Sequence, residues 1–190
     1  MAARGLLMDV VEGSEPPASG GAGSSDAIVQ CWRGGVVDRA TRAARAGSVC
    51  AMTLVDLPVP AGRDDQEAPR AALASWDLEQ IVPSDEPSPH DARGLVIVSM
   101  DVDPAVEDEF NDWYTTEHIP LLRQVEGVLT ARRFRASRGA PKYVSIYHLD
   151  DAARYASPVW LAANKTPWMR RMRRFQQNRT YFIFDERLAT

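Results

Sequence analysis

Three histidines, five tyrosines and an arginine-rich second half hold the side chains of this 190-residue chain best suited to move protons or hold charge. His118 stands out because it lies in the stretch 110–127, FNDWYTTEHIPLLRQVEG, among aromatic residues. An imidazole titrating near ~6.5 both takes and gives a proton around neutrality, so His118 is a candidate general acid or base. If Asp103 and Pro104 open a helix, then Phe110, Trp113, Tyr114, Glu117, His118 and Leu121 fall at helical spacings, with Tyr114 and His118 one turn apart. The same position suits a helix cap, the ring donating to a carbonyl near Pro120 and favoured there by the helix dipole. A Glu117–His118 dyad is not natural on a helix, because adjacent side chains point about 100° apart.

Tyr143 and Tyr147 share one parity of an expected strand, and His148 takes the other. The preferred reading puts the tyrosines on the interior of a barrel and turns Val144, Ile146 and His148 toward helices. The reverse would make His148 the pocket group. A phenol at such a position can hydrogen-bond an enolate oxygen. Arg133 and Arg135 share a strand face and could hold a carboxylate or phenolate, or simply meet solvent. Trp160 and Trp168 flank the last helix as core or as part of a ligand wall. Arg170, Arg171, Arg173 and Arg174 read as a solvated helix face, and His90 as an exposed residue of a Pro-rich segment. Three separated histidines, with no HxH, HxxxH or CxxC, argue against a metal site. Cys31 and Cys50 read as buried free thiols. There is no Gly-rich phosphate loop.

The elements that must position these groups fall into two halves. Residues 5–11, 48–57 and 71–81 read as strands, and 13–25 as a Gly-, Ser- and Pro-rich loop. Asp26 looks like the N-cap of a helix over 26–46 that Gly47 stops, with Val29, Trp32, Val36, Ala40 and Ala43 on its apolar face. After a Pro-rich linker, residues 94–102 form a strand and Asp103-Pro104 starts a helix that should end near Pro120. Strands over 128–136 and 142–149 make a hairpin. A helical turn over 150–155, a helix over 166–178 and a strand over 181–184 complete a βαββαβ unit. Arg4-Gly5-Leu6 echoes Arg93-Gly94-Leu95, Trp32 parallels Trp113, and 74–79 (ASWDLE) parallels 145–150 (SIYHLD). This pattern predicts a degenerate tandem repeat whose first copy lacks its second helix and last strand. The expected domains are a degenerate ferredoxin-like half at 1–82, a linker at 83–92 and a second half at 93–190. The fold class is α+β, with two ferredoxin-like sheets packing into an α+β barrel.

Composition excludes several classes. Hydrophobic content of 45% and charge of 25% are those of a globular protein. A net charge of −4 gives no case for nucleic acid. No apolar run approaches the ~18 residues of a membrane span, and the N-terminal residues lack a signal-peptide pattern. The expectation is a soluble, cytoplasmic protein with neither nucleic acid nor membrane as partner.

The pattern Phe110-x-x-Trp113-Tyr114-x-x-x-His118-x-Pro120-Leu121, followed by Gly127, resembles the helix motif of the EthD-like branch of the dimeric α+β-barrel superfamily. The resemblance covers about residues 94–187. It implies a ferredoxin-like fold with a pocket between sheet and helices. That superfamily includes cofactor-free monooxygenases, muconolactone-type isomerases, polyketide cyclases, decarboxylating lyases and haem-degrading enzymes, so it fixes fold better than reaction. The first half departs from the motif: five residues after Trp32 stands Val37, not histidine. The expected function is proton transfer on an aromatic or polyketide-like substrate (cyclisation, isomerisation or decarboxylation) without an organic cofactor. His118 would be the acid/base and Tyr143 or Tyr147 the oxyanion donor. Phe110, Trp113, Tyr114 and Trp168 would be the apolar wall, with Arg133 as a substrate contact. The alternatives are a non-catalytic protein that binds a hydrophobic ligand or assembles with another protein, and a cofactor-free monooxygenase. The barrel could be a monomeric pseudo-dimer or a homodimer.

Overall fold

The computed structural model describes residues 3–18, 26–37, 44–60 and 72–189. Its strands are β1 (Gly5–Glu12), β2 (Ile28–Val36), β3 (Cys50–Leu57), β4 (Ala72–Val82), β5 (Gly94–Val102), β6 (Val128–Arg138), β7 (Tyr143–Leu149) and β8 (Gln176–Leu188). The helices are α1 (Glu107–Trp113), α2 (Ile119–Arg123), α3 (Pro158–Ala163) and α4 (Pro167–Met172). The strands close into one antiparallel barrel in the order β1-β3-β2-β8-β5-β7-β6-β4. Within each half the spatial order of strands, counted from its own first strand, is fourth-first-third-second. The halves meet at two seams, β2 with β8 and β4 with β6. No helix among the described residues is long and apolar enough to cross a membrane.

The helix expected over 26–46 is not there. Residues 28–36 are strand β2, and 38–43 lie outside the described residues. The spacing of Val29, Trp32 and Val36 satisfies a helix, but Ile28, Val29 and Val36 are β-branched and Gly34-Gly35 weakens a helix. Gly34 also has a packing reason. A Cβ there would lie 2.0 Å from the Ile183 carbonyl oxygen and 2.6 Å from the Phe184 Cα, across the β2–β8 seam. The parallel between Trp32 and Trp113 falls with that helix. So does the pairing of 74–79 with 145–150, because β4 takes the place in its half that β8, not β7, takes in the other. The first half has all four strands and, among the described residues, no helix. The last helix is shorter than expected, and β8 begins at Gln176 rather than at 181.

The barrel interior is filled. Met8, Trp32, Met52, Trp76, Ile97, Phe134, Ile146, Phe182 and Phe184 form one buried cluster across both halves. His148 belongs to this interior: its Nδ1 lies 3.1 Å from Thr130 Oγ1 and its Nε2 3.1 Å from Gln30 Oε1. At one end Arg132, fully buried, donates to Asp56 Oδ2 (2.8 Å), Ser88 Oγ (2.7 Å) and the Glu86 carbonyl (3.0 Å). Asp56 also accepts from Arg4 Nε (3.0 Å) and the Ser88 amide (2.7 Å). Residues 86–89 therefore partner charged and amide groups at the barrel's end. A buried pair of this kind persists because both oxygens of the carboxylate are hydrogen-bonded.

The outer face of the second half carries the helices. Asp103 Oδ1 accepts from the Ala105 amide (2.9 Å) and Pro104 opens the first turn. The helix does not stop at Pro120. α1 passes through a five-residue π-helical turn, Tyr114–His118, directly into α2. The wider turn accommodates a proline that has no amide to return to the preceding turn.

Candidate functional site

The π-helical turn sets the site. It follows two rings of α1 and carries His118 inward, where the imidazole is only 6% exposed. The ring packs on Trp113 (4.5 Å between centroids) and edge-on to Tyr114 (4.8 Å). His118 Nε2 lies 3.3 Å from Tyr147 Oη, a contact in which either atom can donate. Glu117 turns away from the imidazole. Its Oε1 accepts from Trp113 Nε1 (3.0 Å) and Thr166 Oγ1 (2.6 Å), tying the turn to the cap of α4. The capping role for His118 requires a helix end at Pro120, and the chain has none there.

The tyrosines of β7 face the helices, not the barrel interior, which reverses the preferred sequence reading. Tyr143 and Tyr147 belong to the outer cluster with Phe110, Trp113 and Trp160, while Val144 and Ile146 point inward. Alternation defines two faces but not which is which. On the helix side the phenols meet polar partners: Glu107 and Asn111 for Tyr143, and His118 for Tyr147.

Between this face and the helices is a cavity of about 50 Å³. Four of the five tyrosines (Tyr114, Tyr147, Tyr155 and Tyr181) line it with Trp113, Trp160 and His118. Asn164, Arg173 and Gln176 supply its polar lining. Such a space holds one or two waters at roughly 30 Å³ each, so a ring-sized ligand needs the walls to move.

Burial pushes the His118 pKa down to about 3, with Arg133 and then Arg173 adding their charge to the effect. Burial likewise raises Tyr147 well above the ordinary phenol and raises Tyr114. At neutral pH the imidazole and both phenols are therefore uncharged. Arg133 has no exposed surface, and burial lowers it to about 10, which leaves it charged. Its guanidinium sits 4.1 Å from the Tyr114 ring centre, 4.2 Å from that of Tyr143 and 4.9 Å from that of Phe110. Its Nε and Nη2 meet no acceptor among the described residues.

Of the residues singled out in the sequence, the fold brings His118, Tyr147, Trp113 and Tyr114 to the cavity. Arg133 lies behind Tyr114, with Phe110 beside it. Tyr143 stands apart, donating to Glu107 Oε1 (2.6 Å). Trp168 is half-buried and donates to Glu109 Oε1 (3.2 Å), away from the cavity lining. Trp160, Tyr155, Tyr181 and Arg173 line the cavity although the sequence did not select them for it. For Trp160 the signal was present, as a tryptophan flanking the last helix. Tyr155 and Tyr181 carried none, and Arg173 was hidden in a run of like residues. Among the described residues, no group of three or more His, Cys, Asp or Glu side chains is placed to hold a metal ion.

The sequence matches no family model and no curated protein. Solved structures do resemble it. A candidate monooxygenase of Fusobacterium nucleatum superposes with a TM-score of 0.58 at 10% identity, over 100% of this chain and 95% of that one. These likenesses fix the fold. An anthrone oxidase-like protein gives 0.54 at 12% identity, over 98% and 93% of the two chains. A ferredoxin-fold protein of Listeria monocytogenes related to antibiotic biosynthesis monooxygenases gives 0.52 at 9% identity, over 98% and 96%. The chain thus shares the ferredoxin-like α+β barrel with antibiotic-biosynthesis-monooxygenase-like proteins, and at such identities no reaction passes with the fold.

Proposed function

We propose that the cavity binds a small aromatic or polyketide-like molecule and that the chain moves a proton on it without an organic cofactor, in a cyclisation, isomerisation or decarboxylation. The observation that supports this best is the 3.3 Å contact of His118 Nε2 with Tyr147 Oη on an aromatic wall. Tyr147 would turn its hydroxyl to a carbonyl or phenol oxygen of the substrate, freeing Nε2 to take the proton. His118, at about 3, is not a standing base of ordinary strength. An enolate or phenolate forming beside it would raise its basicity, because an adjacent negative charge favours the imidazolium. The positive field of Arg133 and Arg173 would stabilise the same anion. We take the helix motif as that of the EthD-like branch, and the equal strand order of the two halves as the trace of a tandem repeat working as a one-chain pseudo-dimer.

The depressed basicity of His118 favours a second reading, in which the cavity binds a hydrophobic ligand without turnover. One experiment separates the two. Anthrone, the compound in the name of one structural neighbour, has an acidic methylene whose exchange in D₂O is followed by NMR. The catalytic reading expects exchange above the buffer rate, falling ~10²–10⁴-fold in His118→Gln, the usual weight of acid–base catalysis. Binding without faster exchange would favour the second reading, and unchanged exchange in His118→Gln would remove the imidazole from the chemistry.

A further inference from the structure

The charge around the cavity is one-sided. Among the described residues no carboxylate lines it, although the whole chain carries a net charge of −4. The one charged side chain in the lining, among the described residues, is Arg173, just past the end of α4. Its neighbour Arg171 is held by a two-pronged ion pair to Glu109, at 2.7 and 2.9 Å. Arg173 is within ion-pair distance of no carboxylate among the described residues. Asn164 and Gln176 stand with it in the lining and extend the polar side of an otherwise aromatic space.

A second cation stands behind the wall. Arg133 is fully buried among Phe110, Tyr114 and Tyr143, with two guanidinium nitrogens that meet no acceptor among the described residues. Glu107 lowers the cost of this dry guanidinium through its charge but forms no ion pair with it, and aromatic faces offset only part of the rest. Both arginines are felt at the His118 ring. Two cations acting on an aromatic cavity whose described lining holds no carboxylate are complementary to a ligand that brings one.

We propose that the ligand is an aromatic acid, carrying a carboxylate or an ionised phenol, and that Arg173 in the cavity wall recognises its negative group. The inference rests on the reading of the cavity as a small-molecule site and names the class of molecule it takes. Arg173 is exposed, so the variant that tests it keeps the core intact.

The test uses two probes of the same shape, 2-naphthoate and 2-naphthamide, titrated into the full chain near neutral pH and low salt by tryptophan fluorescence. The acid is expected to bind at least about tenfold more tightly than the amide, and Arg173→Gln to shrink that ratio to less than about threefold. Arg170→Gln removes an equally exposed charge on α4 that does not line the cavity, and should leave the ratio as it is. Equal affinity for the two probes, or a ratio that survives Arg173→Gln, overturns the assignment while leaving the small-molecule site standing. If neither probe binds, the aromatic pocket itself is refuted and the assignment with it.

Discussion

Lowering the pH from about 7.5 to about 5 should weaken the fold, and His118→Gln should remove a defined part of that loss. In the folded chain the buried His118 titrates at about 3, whereas an exposed histidine does so near ~6.5. Between those values the unfolded chain takes up a proton that the folded chain refuses. Stability is therefore complete above ~6.5 and falls as the pH drops below it. One such group gives a slope of about 1.4 kcal/mol per pH unit, or about 2 kcal/mol by pH 5. His148, pushed down by burial and by Arg132, adds in the same direction. Glu107 and Glu109, which their partners hold below the usual carboxylate range, lose their contribution only below about 4.5, so this window is clear of them. Urea unfolding followed by tryptophan fluorescence at several pH values measures the loss. His118→Gln should lose about 2 kcal/mol less than the parent over this range, with an unchanged dependence on urea. Equal losses in the two proteins would mean that the folded imidazole is already charged at pH 5, and that the pocket is neither dry nor cationic.

Three further outcomes follow from contacts in the barrel and the cavity. Asp56→Asn strips Arg132 of its buried counter-ion and should cost about 3–5 kcal/mol in urea unfolding; a cost below about 1 kcal/mol would show the pair to be hydrated. Gly34→Ala drives a methyl group into the backbone of β8 at Ile183 and Phe184, and should cost on the order of 1–3 kcal/mol; a neutral effect on thermal unfolding would show that the seam can yield. Tyr147→Phe should leave the melting temperature near that of the parent yet lower methylene exchange by ~10²–10³-fold, the weight of an oxyanion donor. Unaltered exchange would leave the phenol as wall alone.

The second half was legible where local chemistry is unambiguous. Asp103-Pro104 can hardly be anything but a helix start, and residues 137–141 separate two alternating segments in a way that only a hairpin satisfies. β2 was not legible because Val29, Trp32 and Val36 lie at spacings that suit a helix, while what makes the segment a strand is distant: β3 on one side and β8 on the other. The orientation of β7 was likewise a tertiary matter, with the helix side offering the phenols hydrogen-bond partners. Pro120 misled because its local rule assumes a regular α-helix, and the π-helical turn before it relaxes that rule. At the site, the motif led to His118, Trp113 and Tyr114. Arg173 could be told from Arg170, Arg171 and Arg174 only once the fold had put one of the four beside the cavity.

Closure of the barrel within one chain changes what dilution can do to this protein. Where two separate chains each supply half of a barrel, the seams are a bimolecular equilibrium and the folded fraction falls with concentration. Here residues 83–92 join the halves covalently, and their backbone also serves Arg132 and Gln30 at the barrel's end. The β2–β8 and β4–β6 seams are therefore closed at an effective concentration set by a short tether, whatever the amount of protein present. The first half, which among its described residues has no helix and at the matching position no histidine, is then free to differ, because no symmetry requires both halves to carry the same site.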